Sequence, residues 1–130
     1  MNEMIELHDS EVLAFSWADG AAIILLRPAY LHRSEGRPGL DAGTVWMQEV
    51  MLTVTNALVS AQGKLPAALK DGSLRIGTEV HQNLIPAAGV FAADIMLELA
   101  MNGTDYLKVN CDQLMITLTG QAEYFEKYEP

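Results

Sequence analysis

The sequence predicts an all-β protein: a jelly-roll-like antiparallel β-sandwich or flattened barrel of about nine strands. Three observations predict it. Apolar residues recur at alternate positions through most of the chain, the period of a strand with one buried face. Turn-forming pairs such as Asp19-Gly20, Asp71-Gly72 and Asn102-Gly103 interrupt those runs at hairpin intervals. Propensity and period disagree at Val90–Met101, yet Phe91, Ala93, Ile95, Leu97, Leu99 and Met101 still fall on alternate positions, with Asp94 and Glu98 between them. Burying that row outweighs the helix preference of Ala, Met, Leu and Glu. With 130 residues, half of them apolar, the chain suits one β-sandwich domain over 1–130 and a core that needs no disulfide.

The elements follow in chain order. A first strand should end at His8-Asp9-Ser10, where short polar side chains bond backbone N–H groups in a turn. Strands are expected at 11–18 and 21–32, because a type I′ turn at Asp19-Gly20 pairs Trp17 with Ala22, Phe15 with Ile24 and Leu13 with Leu26 on one apolar face. The opposite face then sets Ser16 against Ile23 and Val12 against Arg27. Pro28 lacks an N–H, so the second strand must lie at an edge or bulge there. Thr44–Thr55 places Trp46, Val50, Leu52 and Val54 on one face and Met47 and Met51 on the other, a two-sided strand.

The stretch 56–88 is weaker. It predicts short strands near 73–77 and 79–85, with a helical turn near 65–70 as an alternative. After Val90–Met101, a three-residue loop at Asn102-Gly103-Thr104 aligns Leu99 with Leu107, Leu97 with Val109, Ile95 with Cys111, and Glu98 with Lys108. An Asn-Gly loop of two residues would expose a whole apolar row, so register decides against it. A second turn is expected at Asp112-Gln113, setting Cys111 against Leu114 and Val109 against Ile116, and Gln121–Tyr128 reads as a last strand.

Charge and motif content exclude several functions. A net charge of −9 argues against nucleic-acid backbones and anionic membranes. The longest apolar run, Ala21–Leu26, is far short of a membrane span. The acidic start, Met1-Asn2-Glu3-Met4-Ile5-Glu6, lacks a signal-peptide pattern, so the expected location is the cytoplasm. No phosphate-binding glycine loop, nucleophile elbow or His-x-His pair is present, so no catalytic residue, metal ligand or cofactor is assigned. Extended backbone at His8-Asp9-Ser10 would point Asp9 away from His8, against a hydrolase triad. Cys111 alternates with core residues and reads as a small buried hydrophobe.

One segment stands out. Residues 30–44 form the longest polar, glycine-rich stretch, and with Arg27 they hold three of the eight basic residues, Arg27, Arg33 and Arg37, within eleven positions. Such a loop suits an anion or an acidic partner surface, through Tyr30, His32, Arg33, Arg37 and Asp41. Alternatively it is solvated, its arginines paired with Glu35, Asp41 and neighbouring carboxylates. A second feature is apolar excess: counting Gly and leaving out Tyr, roughly 55% of the chain is apolar against a typical ~45–50%. The excess implies a self-complementary subunit interface, hence a homodimer, or else an internal cavity.

Leu7-His8-Asp9-Ser10, the run Tyr30-Leu31-His32-Arg33-Ser34-Glu35-Gly36-Arg37-Pro38-Gly39 and Asn83-Leu84-Ile85-Pro86 together resemble a group of small bacterial all-β proteins with no assigned activity. The resemblance implies a β fold and a bacterial cytoplasmic setting, and supplies no catalytic residues. The His-Asp-Ser opening also resembles that of small immunity-type proteins, whose acidic surfaces neutralise basic toxins. The function expected is therefore a non-enzymatic binding module acting through the 30–44 loop. The alternatives are a carrier of small apolar ligands with a cavity between its sheets, or a small enzyme using His32, Arg33, Arg37 and Asp41.

Overall fold

The computed structural model describes residues 1–130 as eleven strands without a helix. In chain order these are β1 (Asn2–Glu6), β2 (Glu11–Ala18), β3 (Ala21–Ser34), β4 (Gly43–Thr55), β5 (Leu58–Gln62) and β6 (Ala67–Ala68), then β7 (Asp71–Ile76), β8 (Glu79–Gln82), β9 (Leu84–Pro86), β10 (Gly89–Ala100) and β11 (Tyr106–Tyr128). All pairings are antiparallel, in the order β6-β2-β3-β4-β11-β10-β7-β8, and the sheet curls into a half-barrel. Short segments stitch its edges. Asp9 N–H donates to the Leu69 carbonyl and Leu69 N–H to that of Ser10, while β1 lies between the second half of β3 and β9.

The two hairpins with legible registers form as expected. Asp19 and Gly20 take φ of 54° and 77°, and Trp17 opposes Ala22 while Phe15 opposes Ile24. In the β10–β11 meander Leu99 opposes Leu107, Leu97 opposes Val109, Ile95 opposes Cys111 and Glu98 opposes Lys108. Helical structure at 65–70 does not form; β6 occupies part of it.

Other expectations fail at bulges. Leu13 does not oppose Leu26, nor Val12 Arg27: Val12 opposes Leu26 and Ala14 opposes Leu25, so Leu13 is the extra residue. No turn occurs at Asp112-Gln113, and Gln121–Tyr128 is not a separate strand. Both belong to β11, which runs unbroken for 23 residues. Buried positions switch from odd (Leu107, Val109, Cys111) to even (Leu114, Ile116) across two exposed residues, 112 and 113. A strand that changes phase and a chain that reverses leave the same mark on apolar periodicity. Pro28 does meet its expectation, by a bulge in an interior strand rather than by an edge, since Leu26 opposes Val50 but Ala29 opposes Gln48.

Twenty-five buried side chains form one continuous core inside the curl, with Ile24, Leu26, Leu31, Leu52, Ile95, Leu97 and Leu99 at its centre. At ~25 cal/mol per Å² this burial supplies the main driving force for folding. Gly43, where β4 leaves the preceding loop, has no room for a Cβ, which would collide with the Arg33 carbonyl oxygen.

The outer side of the sheet is unusual. One row crosses five strands as Ser16, Ile23, Thr53, Met115 and Val90. Beside it run Ala14, Leu25, Met51 and Thr117, and on the other side Thr55, Gln113 and Ala92. None of these is Asp, Glu, Lys or Arg, although charged residues make up 19% of the chain. Outward positions are where charge normally collects.

Candidate functional site

The bulge at Arg27-Pro28 builds the site. Before it Ala22, Ile24 and Leu26 face the core; beyond it Ala29 and Leu31 do. Tyr30 and His32 therefore stand on the outer side. β1 sets Glu6 opposite Tyr30 and Met4 opposite His32, and β4 sets Val45 opposite His32. The end of β11 covers them. Phe125 lies 5.2 Å from the Tyr30 ring, and Tyr128 meets His32 at 5.1 Å with planes 87° apart. His32 is consequently only 3% exposed despite facing outward.

His32 Nε2 lies 2.7 Å from Glu6 Oε1, so the imidazole N–H donates to the carboxylate. That hydrogen bond holds the Glu6 carboxyl below its usual range, against the opposing effect of burial. His32 Nδ1 is buried and has no hydrogen-bond partner. The turn after β1 supplies His8, whose Nδ1–H donates to the Lys70 carbonyl at 2.8 Å. This bond first, and the nearby Asp9 carboxylate second, raise the His8 pKa.

These groups line an open pocket of about 200 Å³ with Asp9, Glu126 and Val45. Three carboxylates (Glu6, Asp9, Glu126) and three aromatic rings (Tyr30, Phe125, Tyr128) converge, and no Lys or Arg lines the pocket. Carboxylates beside aromatic faces attract a cation, through charge and through the ring quadrupole. Hydrolytic chemistry lacks a free nucleophile: the Ser10 side chain is buried, donates to the Glu6 carbonyl at 2.6 Å and accepts from Tyr30 N–H. No group of three or more His, Cys, Asp or Glu is placed to hold a metal ion. Burial pushes the Cys111 thiol pKa up, which makes it unreactive.

The five residues singled out from the sequence part company. Tyr30 and His32 belong to the pocket and lie on β3, as does Arg33, so the irregular loop is 35–42 rather than 30–44. Arg33 faces the opposite side, donating to Glu3 at 2.6 Å and stacking 4.7 Å over Trp46. Arg37 and Asp41 form an exposed ion pair at 3.3 Å within the loop, as the solvated-loop alternative expects. Arg27 lies over the bulge, away from both. The basic side chains do not assemble into one anion site.

Asp9 also departs from expectation. A positive φ of 69° turns the chain there, bringing Asp9 within 3.5 Å of His8 Nε2 instead of pointing it away. Ser10 keeps its expected turn role, bonding backbone groups on both sides. Sequence reasoning missed Glu6, Phe125 and Tyr128. Their signal was an aromatic tail, Tyr124-Phe125 and Tyr128, that no core position required.

Several grooves are larger; those of about 370 and 420 Å³ lie beside β7–β10 and over the β3 bulge. Neither contains a buried titratable pair, and Gln48 in the second is committed to the Thr119 and Gly120 carbonyls. No helix is long and apolar enough to cross a membrane. No protein-family model, curated protein or solved structure matches the chain.

Proposed function

We propose that the chain is a non-enzymatic binding module that seats a positively charged side chain of a protein partner in the Glu6–Tyr30–His32–Phe125–Tyr128 pocket. One observation carries this reading: three carboxylates and three aromatic rings converge there around a buried His32–Glu6 pair, with two histidines but no Lys or Arg in the lining. The net charge of −9 extends the same field outward and steers a basic face toward the pocket. An immunity-type relation, in which an acidic protein covers a basic toxin, belongs to this class. The setting is the bacterial cytoplasm, where a buried Cys111 stays reduced.

The filled core favours this reading over a carrier, since twenty-five inward side chains occupy the space a ligand cavity would need. The Ser10 hydroxyl, two residues from His8, is spent on backbone hydrogen bonds, which favours binding over catalysis.

Titrating the ¹⁵N-labelled protein with an arginine- and lysine-rich peptide tests the proposal. Amide signals of Glu6, Tyr30, His32 and Phe125 should shift saturably, less at high salt, and a glutamate-rich peptide should leave them in place. Equal response to both peptides, or shifts confined to other strands, would overturn it.

A further inference from the structure

We infer that the uncharged outer face around Ile23 and Met115 is a self-association surface, and that its occupant is a second copy of this chain. Ile23 and Met115 are each 42% exposed and Val90 is 65% exposed, with Leu25 and Met51 half-buried beside them. The register sets Ile23, Met115 and Val90 in one row through Thr53, with Leu25 and Met51 adjoining in the next, so these apolar residues are neighbours rather than scattered.

Its size is the first argument. Rows of five, four and three residues, on strands ~4.8 Å apart with rows roughly 7 Å apart, span about 400 Å² in plan. A patch of this size is about the largest that a monomer exposes, and such patches are often functional; a stable dimer buries about 800 Å² per partner, so this uncharged patch forms the centre of such a contact.

Charge is the second argument, and it selects the occupant. Each copy carries −9, so two copies repel wherever carboxylates face each other. On this face they do not. A basic partner has nothing here to pair with, whereas a second copy meets the same neutral surface and buries it. Two such faces can pack like the sheets of a sandwich, ~10 Å apart and rotated by about 30°. The pocket at Tyr30 and His32 lies farther along the same strands, beyond the Arg27-Pro28 bulge, and is not required for this contact.

The test is the mass in solution of the full chain and of single variants. Sedimentation equilibrium of the wild type should give twice 14.2 kDa, with association strengthening as salt screens the repulsion between copies. Met115→Glu places like charges across the contact and should weaken association by about 100-fold or more. Ile23→Lys, which introduces an unpaired charge at the other side of the row, should also weaken it, with the far-ultraviolet dichroism of both variants unchanged. Phe125→Ser, in the pocket, should leave the mass unaltered. A monomeric wild type at hundreds of micromolar, or a dimer indifferent to both face variants, overturns the inference.

Discussion

Two ends of one surface share strands and side but not chemistry. On the outer side of β3, β4 and β11, the end nearer the Asp19-Gly20 turn presents Ile23, Leu25, Met51 and Met115 with no charge among them. The far end presents Tyr30, His32, Val45 and Phe125, backed by Glu6 and Glu126. Between them lie the bulges at Arg27-Pro28 in β3 and at 120–122 in β11. Without the β3 bulge, strict alternation would send Tyr30 and His32 into the core and bring Leu31 out. A bulge re-aims side chains at a site. Here it exchanges core-facing for outward-facing positions partway along a strand, so one strand serves both a neutral face and a polar pocket.

The largest test of this contrast is the phase itself. Leu26 is fully buried and Leu25, its neighbour, faces outward. Urea unfolding should show Leu26→Ala costing ~2–5 kcal/mol and Leu25→Ala less than about 1 kcal/mol. Equal losses would mean that the faces are misassigned.

Next comes the pair at the polar end. His32→Ala leaves the Glu6 carboxylate without its donor and strips the packing from Tyr128, costing ~1–3 kcal/mol. Thr53→Ala at the neutral end should change stability by less than ~0.5 kcal/mol in the same assay.

A smaller effect is expected from acid. The Glu6 pKa is lowered in the folded chain, so the ionised carboxylate contributes stability above the ordinary carboxylate range. That contribution fades as pH falls through the lowered value. Wild type and Glu6→Gln should therefore differ most near neutrality, by on the order of 1 kcal/mol, and converge in acid. A difference that grows on acidification would contradict the assignment of the His32–Glu6 bond.

How far the sequence was legible depends on where turn chemistry and period agreed. Asp19-Gly20 fixes its hairpin because both turn positions tolerate positive φ and the flanking rows match. At Asn102-Gly103-Thr104 register alone was enough, and Met101 N–H bonding to Asp105 closes that three-residue loop. Leu13, Pro28 and Asp112-Gln113 are different. Each marks a phase change, and only Pro28 carries a chemical label, its missing N–H, that declares a bulge. Asp112 is a common turn residue, so the sequence here mimics a reversal where the chain runs straight on.

The site was half legible for a related reason. Tyr30 and His32 stand out as polar groups in a distinctive segment. Glu6 and Tyr128 lie 26 and 122 places along the chain from His32 and Glu6 respectively, so only the pairing of β1, β3, β4 and β11 brings them together. Arg33, Arg37 and Asp41 are neighbours in sequence, yet alternation along β3 sends Arg33 to the face opposite His32.

The most direct measurement is a salt series on one labelled sample, following Ile23 and Met115 by their dilution shifts and Tyr30, His32 and Phe125 by their response to the basic peptide. Rising ionic strength should strengthen the concentration-dependent signal at the neutral end while weakening the peptide signal at the polar end. If both ends move in the same direction, or the peptide signals appear at Ile23 and Met115, the division of this surface into two chemistries is wrong.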